Sequence, residues 1–328
     1  LAHPQPVGGS WLKNRYIVNN YILLNTLGTG SYAEVRLAKN KVDNGLYAVK
    51  IINKDVMSRR QMGKEGTFLD DVKREIAIMK KVMHPNVLRL YEVMDDPRVH
   101  KLYLVLEYMR KGDIMNVLSG DARRLVCDPM DDLGVWHIFR QVVQGLSYLH
   151  LQNIVHGDIK PQNLLLDDAH NCKIADFGIS KMLAGSTQRL REGAGTPAFM
   201  SPELCAGIPY NGQLADVWAL GATVYMIRFG RPPFASTQLL ELYQKAKFDP
   251  LEFPPDVAAS SGLKRLLQGM LVKDPSKRMR LEQVRAKWSP QMHYLGARGG
   301  AGAHKVVVAS ALFSVWGRSR CAQGGRQK

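Results

Sequence analysis

Cysteines are scarce in this chain, and no two of them lie close together. The 328 residues include four, Cys127, Cys172, Cys205 and Cys321, with no CxxC pair among them. A disulfide framework or a structural zinc site needs closely spaced cysteines, so neither is indicated. The spacing predicts reduced thiols and therefore a cytoplasmic protein, with a nuclear location also open.

Long apolar runs are missing as well. The longest, VVVASALFSVW at 306–316, falls short of the roughly 20 residues that span a bilayer, and the first residues carry no secretory signal. We therefore expect a soluble protein with no membrane association. Because the chain opens on Leu1 rather than Met, its natural N-terminus need not be in view.

Acidic residues are too few to balance the basic ones. Asp and Glu number 29 against 45 Lys and Arg, a formal net charge of +16. Such a surface attracts phosphate-bearing partners of many kinds. No helix-turn-helix, zinc-finger or RNA-binding signature accompanies the charge, so we predict acidic or phosphorylated protein partners and no nucleic-acid binding. Part of the excess lies in a tail without acidic residues, at Arg298, Lys305, Arg318, Arg320, Arg326 and Lys328.

The hydrophobic pattern changes character along the chain. Residues 21 to 52 alternate as strands do, with Gly and Asn turns between them. VKREIAIMKKVM at 72–83 follows, with Ile76, Met79 and Lys80 at helical spacing, and VLRLYEV and LYLVLEYM return to strand character. The first part of the chain is therefore predicted to be a sheet with one main helix.

The rest of the chain reads mostly as helices. DLGVWHIFRQVVQGLSYLH at 132–150 has the apolar stripe of a core-facing helix, whereas 289–328 lacks periodicity and is predicted to be a disordered basic Gly/Ala-rich tail. A strand-rich segment followed by a longer helix-rich one predicts an α+β protein of two lobes. The stripe consists of Val135, Phe139, Val142, Leu146 and Leu149.

Two stretches in the strand-rich part carry chemistry. In LGTGSYAEV, Gly28 and Gly30 would let the backbone approach a polyphosphate closely, although a GxG between strands is more often only a turn, and Ala33 stands where a third glycine is usual. In AVK, Lys50 lies within an apolar strand. An unpaired buried ammonium is costly, so we expect an anionic partner, for which Glu75 on the following helix is the candidate.

The stretch VHGDIKPQNLLL at 155–166 places Asp158, Lys160 and Asn163 within six residues, as in a loop that aims three polar groups at one point. Asp176 follows, on a turn that continues with Phe and Gly. Asn163 and Asp176 offer the hard oxygen ligands that suit Mg²⁺ beside nucleotide phosphates. Alone, these residues could be a capping Asp, a surface Lys or a turn; their order and spacing indicate a catalytic site.

In this order, the motifs resemble a eukaryotic-type protein kinase over residues 18–288. The resemblance implies a bilobal α+β fold, with an antiparallel N-lobe sheet at about 18–108, a larger helical C-lobe at about 109–288, and 1–17 as an N-terminal extension. ATP would bind between the lobes. The matching stretches are GTGSYAEV, AVK, KREIAIMKK, HGDIKPQN, DFG, GTPAFMSPE, DVWALG and DPSKR.

The resemblance also implies cofactors, ATP and Mg²⁺, and the residues that bind them. Lys50, held by Glu75, would contact the α- and β-phosphates under the glycine-rich loop, while Asn163 and Asp176 would hold Mg²⁺. Leu106 would guard the back of the pocket. The nucleotide would be bound by Leu27, Gly28, Gly30, Val35, Ala48, Lys50, Glu75, Glu107, Met109 and Leu165.

Catalytic roles follow from the same resemblance. Asp158 would orient the substrate hydroxyl and accept its proton, Lys160 would neutralise charge on the transferred phosphoryl group, and Thr196 would hydrogen-bond both. DIKPQN, with Lys at this place, resembles serine/threonine rather than tyrosine kinases. Three more residues would brace the substrate platform and the catalytic loop, namely the buried pair Glu203 and Arg278, and Asp216.

HPNVLRLYEVMDDPRVHKLYLVLEYM and GTPAFMSPE resemble the calcium/calmodulin-dependent kinase kinases and the plant and algal kinases that activate kinases related to the sucrose-non-fermenting family. The implied partner is another serine/threonine kinase, with this protein acting as a monomer. SRRQMGKEG at 58–66 lies where such kinases carry an Arg- and Pro-rich insert, and it reads equally well as a solvated loop.

Gly157 replaces the arginine that, in many kinases, pairs with a phosphate on the activation segment. The usual phosphoacceptor position aligns with Gly193, so the acceptor and the phosphate-binding arginine are absent together. This predicts an activation segment that is ordered without phosphorylation.

The stretch 304–320 mixes apolar and basic residues as calmodulin targets do, but its β-branched run disfavours a helix. The alternative function is a pseudokinase scaffold, which the intact set Lys50, Asp158, Asn163 and Asp176 opposes. The stretch GTPAFMSPE opposes a third function, that of a kinase acting on small molecules.

Overall fold

The computed structural model describes residues 16–30, 33–55, 68–120, 126–185, 188–190 and 194–287. Several sequence predictions lie outside these ranges: most of the N-terminal extension at 1–17, the insert at 58–66, the phosphoacceptor position Gly193, and the tail at 289–328. Among the described residues, no helix combines the length and the apolar character needed to cross a membrane.

The N-terminal part is a six-stranded antiparallel sheet in the order β1-β2-β3-β4-β6-β5. Its central strand β4 pairs with β3 on one side and with β6 on the other, which places Lys50 between Val35 and Leu104. The strands are β1 (Ile17–Val18), β2 (Tyr21–Thr29), β3 (Ala33–Asn40), β4 (Leu46–Asn53), β5 (Leu90–Asp95) and β6 (Lys101–Glu107).

Helix α1 spans Phe68–Met79 and therefore lies about four residues earlier than the sequence predicted. Its first turn holds Asp70 and Asp71, whose charges favour a helix N-terminus. At its other end the chain turns ahead of Pro85, which disfavours helical geometry in the residue before it. Ile76 and Met79 are buried as expected, but Lys80 lies beyond the helix and is exposed.

The C-terminal part is mostly helical. Almost every residue of its helix α5 is buried, because other helices, a short strand and a 3₁₀ turn pack around it. All five residues of the stripe predicted on α3 are buried too. The helices are α2 (Ile114–Ser119), α3 (Asp132–Leu151), α4 (Pro202–Cys205), α5 (Gly212–Phe229), α6 (Leu239–Phe248), α7 (Ser261–Met270) and α8 (Leu281–Lys287).

Short strands connect the helices and carry the site residues. Two 3₁₀ turns, Pro161–Asn163 and Pro197–Phe199, lie beside them. One core cluster joins α1 and the sheet to the helical part and includes Ile76, Leu104 and Trp218. The predicted α+β bilobal architecture is confirmed. The strands are β7 (Gly112–Asp113), β8 (Ile154–Val155), β9 (Leu164–Leu166), β10 (Cys172–Ile174) and β11 (Lys181–Met182).

The cysteines among the described residues are free thiols rather than disulfides. Cys127 and Cys172 are buried, with exposed fractions of 7% and 0%. Burial raises the pKa of the Cys127 thiol to about 11, and it raises the pKa of Cys172 as well. Both side chains therefore pack as small apolar groups.

Candidate active site

The segment between β8 and β9 gathers polar side chains around Asp158. Lys160 Nζ donates a hydrogen bond of 2.5 Å to Asp158 Oδ2, and Asn163 Nδ2 donates to the same oxygen at 3.1 Å and to the Asp158 carbonyl at 2.8 Å. Pro161 begins the 3₁₀ turn that carries Asn163 back toward Asp158. The three polar residues predicted to meet at one point do so.

Thr196, which directly precedes the turn Pro197–Phe199, completes this cluster. Its hydroxyl donates to Asp158 Oδ1 at 2.9 Å, its backbone N–H donates to the same oxygen at 3.0 Å, and Lys160 Nζ donates to the hydroxyl at 2.7 Å. The predicted contacts of Thr196 with Asp158 and Lys160 are therefore present. They tie the catalytic loop to the segment that follows the activation segment.

The environment of Asp158 keeps its carboxylate ionised. Burial on its own raises the pKa of Asp158, but the hydrogen bond and charge of Lys160 and the two bonds from Thr196 outweigh burial, and the pKa lies below its usual value. An ionised carboxylate is an acceptor only. Asp158 can therefore accept a hydrogen bond from a hydroxyl group that enters the cleft.

Asp216 lies on α5, is only 1% exposed, and holds the loop that contains Asp158. Its two oxygens accept the backbone N–H groups of His156 (3.0 Å) and Gly157 (2.8 Å), and the His150 ring lies 2.8 Å from Oδ2. Gly157 has a φ of +81°, in the left-handed region that only glycine adopts without strain. This is the anchoring role that the kinase resemblance implied for Asp216.

His156 was not predicted as a site residue, yet it links the loop to Asp176. Its Nε2 lies 3.0 Å from the Ala175 carbonyl, and its ring packs edge-on against Phe177 at 5.3 Å. Phe177 is itself 1% exposed. Phe177 is held in the core, whereas the neighbouring Asp176 is exposed, and its charge helps to raise the pKa of Lys50.

Lys50 Nζ lies 2.9 Å from Glu75 Oε1, so the ion pair expected between β4 and α1 is formed. Burial alone lowers the pKa of Lys50, but the charges of Glu75 and Asp176 and the hydrogen bond to Glu75 outweigh burial and raise it. The ammonium is therefore charged, as a contact to nucleotide phosphates requires.

The residues expected to bind the nucleotide lie in both parts of the domain, most of them on strands. Gly28 lies near the end of β2 and Gly30 directly follows the strand. The Gly30 N–H donates to the Ala33 carbonyl at 2.8 Å, and Ser31 and Tyr32 lie outside the described residues. Ala48 faces Leu106 across the β4–β6 pair. The remaining members are Leu27 on β2, Val35 on β3, Glu107 at the end of β6, the buried Met109, and Leu165 on β9.

Asn163 and Asp176 fit a magnesium ion bound with nucleotide. The Asn163 amide nitrogen is bonded to Asp158, so its carbonyl oxygen is the atom left to face a cation. Asp176, at φ +66°, presents an exposed carboxylate whose Oδ1 accepts the Gly178 N–H at 3.2 Å. Mg²⁺ needs only one or two such protein oxygens and would supply charge neutralisation for the phosphates.

A buried ion pair braces the platform below the site. Arg278 donates to both oxygens of Glu203, at 2.7 and 2.8 Å, and to the Leu214 and Val272 carbonyls, each at 3.0 Å. Its guanidinium also lies 5.0 Å from the centre of the Trp218 ring. The pair that the sequence predicted between GTPAFMSPE and DPSKR is therefore formed. All three guanidinium nitrogens of Arg278 donate hydrogen bonds.

Comparison with known families agrees with this geometry. Residues 21–288 match the protein kinase domain family, and the chain belongs to it. The domain is a serine/threonine protein kinase domain, of a family that uses ATP and Mg²⁺ and acts on proteins, and the pseudokinase alternative finds no support.

The relatives narrow the class further and confirm the predicted resemblance. The calcium/calmodulin-dependent protein kinase kinase of Caenorhabditis elegans is 40% identical, covering 82% of this chain and 52% of that protein. Serine/threonine-protein kinases GRIK1 and GRIK2 of Arabidopsis thaliana are 39% and 38% identical, each over 81% of this chain. The chain spans 52% to 65% of the length of these three relatives.

Proposed function

We propose that this protein is an active serine/threonine kinase that phosphorylates the activation segment of other protein kinases. The observations that carry the activity are the Asp158 carboxylate, held by Lys160, Asn163 and Thr196, and the Lys50–Glu75 pair. The kinase target is supported by relatives of which one is named a kinase kinase.

In the proposed reaction, Asp158 accepts the hydrogen bond of a substrate Ser or Thr hydroxyl and takes its proton as the oxygen bonds to the γ-phosphorus of ATP. The bond from that phosphorus to the β,γ-bridging oxygen breaks, and its electron pair leaves with ADP. Lys160 places a positive charge beside the transferred group, and Lys50 holds the α- and β-phosphates. Thr196 keeps Asp158 aimed at the hydroxyl.

The target class can be tested with a catalytically inactive kinase domain that retains a Thr in its activation segment. With Mg-ATP, the purified chain should phosphorylate that Thr faster than sites in a generic basic protein. Because this chain carries a formal charge of +16, added salt should lower the rate by screening attraction to an acidic target. Phosphosite mapping identifies the acceptor, and equal rates on both substrates would contradict a kinase target.

Activity should not depend on phosphorylation of the activation segment. Gly157 offers no guanidinium to a phosphate, so charge at the segment has no partner at this position. Replacing both Ser186 and Thr187, which lie outside the described residues, by Ala should leave turnover within about threefold, less than the effect of one charge-assisted hydrogen bond.

Treatment of the wild-type protein with phosphatase gives the matching control. Turnover is measured at the first time point, before the enzyme can phosphorylate itself again. A drop of tenfold or more, restored by phosphate on Ser186 or Thr187, would show that the segment needs phosphorylation.

We further propose that the protein acts as a cytoplasmic or nuclear monomer without calmodulin. The stretch 304–320, which mixes apolar and basic residues as calmodulin targets do, lies outside the described residues.

A further inference from the structure

Strand β2 is irregular where it approaches the glycines of LGTG. Counted against its partner β3, the strand gains one residue between Leu23 and Thr26 and another between Thr26 and Gly28. Each extra residue forms a β-bulge, which bends a strand and increases its twist. The direction in which the chain reaches Gly28 therefore depends on how these two bulges are held.

The hydrophobic core does not hold this end of β2. Residues 25–29 are all exposed, whereas Tyr21 and Leu23 in the first part of the strand are buried. Segments with few buried contacts open locally at little cost in free energy, and Gly28 adds the conformational freedom of a residue without a side chain. Hydrogen bonds, rather than packing, are therefore left to fix the position of this segment.

Arg36, on β3, binds the first bulge. Its Nε and Nη2 atoms both donate to the Leu24 carbonyl, at 3.0 and 2.5 Å. A hydrogen bond from a charged donor is roughly twice as strong as one between neutral groups, and the Arg36 side chain is partly buried, which shields these bonds from water. Arg36 thus ties the point at which β2 bends to the neighbouring strand.

Glu34 extends this contact to the second bulge. Its Oε1 lies 3.7 Å from Arg36 Nε and accepts the Thr26 hydroxyl at 2.6 Å. The backbone of Glu34 pairs with Thr29, the last residue of β2. The side chains of Arg36, Glu34 and Thr26, here called the β2 clamp, therefore hold the strand from Leu24 to its end.

The β2 clamp lies on the face of the sheet opposite the residues expected to bind the nucleotide. Side chains alternate between the two faces of a strand, so Glu34 and Arg36 share one face of β3 and Val35 points to the other. Val35 packs against the core cluster that contains Ala48, whereas Ala38 belongs to a separate cluster. Arg36 can therefore act on a nucleotide only through the backbone of β2.

We propose that Arg36 is a positioning residue for nucleotide binding: it fixes the bulged end of β2, which carries Leu27 and Gly28, in the conformation that binds ATP. The inference rests on the proposed function for the transfer reaction itself. A preorganised segment binds its ligand more tightly, because it no longer has to be ordered when the ligand arrives. The β2 clamp contacts no reacting group, so its loss weakens binding equally in the ground state and the transition state, which raises KM and leaves kcat unchanged.

The test measures the kinetics of Arg36→Ala on a peptide substrate at varied concentrations of Mg-ATP. The KM for ATP should rise about fivefold or more, with kcat and the KM for the peptide within about twofold of wild type. The dissociation constant of a fluorescent ATP analogue, measured at equilibrium, should rise by the same factor. Arg36→Lys keeps the charge and one donor group, so it should recover part of the affinity. An unchanged KM for ATP, or a fall in kcat alone, would overturn the proposal.

Lys39→Ala is the matched control, because Lys39 is an exposed cation on the same strand and lies away from both bulges. It removes the same charge and should leave the KM for ATP unchanged. An equal rise in both variants would mean that charge alone attracts the anionic nucleotide, and would overturn the proposal. The analogue reports binding without turnover, so a wild-type protein that binds it in this Arg36-dependent way but transfers no phosphoryl group would contradict the proposed function and support the inference.

Discussion

Asp158→Ala is expected to abolish nearly all phosphoryl transfer while the domain stays folded. A positioned general base contributes on the order of 10²- to 10⁴-fold, and Asp158 is also the residue to which Lys160, Asn163 and Thr196 are bonded. The variant keeps the Lys50–Glu75 pair, so binding of a fluorescent ATP analogue should persist. Turnover of a peptide substrate measures the loss.

Asp168→Ala is the control for this substitution, because Asp168 is an exposed carboxylate of the same lobe, 3.4 Å from Arg110. It should keep wild-type turnover. The melting temperature of Asp158→Ala should lie within a few degrees of wild type, since Lys160 stays beside the Thr196 hydroxyl. If the purified Asp158→Ala protein retained a tenth of wild-type turnover, another group would have to accept the proton.

The largest loss of stability is expected from Arg278→Ala. Both members of the Arg278–Glu203 pair are almost fully buried, at 3% and 4% exposure. Removing the arginine leaves the buried Glu203 carboxylate without its counter-charge, which costs about 3–5 kcal/mol in comparable buried pairs. For a domain of this size the melting temperature should fall by roughly 10 °C. Thermal or urea unfolding measures the change.

Two further variants separate the ion pair from general damage. Lys277→Ala removes the neighbouring lysine, whose side chain is 78% exposed and 3.8 Å from Asp274, and should leave stability nearly unchanged. In Glu203→Gln with Arg278→Met no charge is left buried alone, so the double variant should lose less than the sum of its single changes. Additive losses would show that the two residues do not act as a pair.

The parts of the site that could be predicted from the sequence depend on short distances along the chain. Asp158, Lys160 and Asn163 lie within six residues, so one loop brings them together whatever the rest of the fold does. The Lys50–Glu75 pair could be predicted because an ammonium in an apolar strand requires an anion. Both expectations follow from local rules of solvation and chain geometry.

Other polar contacts could not be predicted, since they depend on how distant helices pack. Asp132 accepts from Arg228 and from the Ser260 backbone, partners 96 and 128 residues away. No local pattern marks such a contact before the helices are in place. The same holds for the hydrogen bond from Lys273 to the Ala246 carbonyl near the end of α6. It also holds for the contact of His150 with Asp216, which lies 66 residues away.

The buried cysteines described above make the opening of this domain measurable by chemistry. A thiol reacts with an alkylating reagent only as an accessible thiolate, so Cys127 and Cys172 can react only after the structure around them opens. With Cys205 and Cys321 replaced by Ser, alkylation rates at the two remaining positions report the free energies of their local opening reactions. Cys172 lies on β10 behind the catalytic loop and Cys127 ahead of α3. Two native residues can thus report whether the region behind the catalytic loop and the region ahead of α3 open together or one after the other.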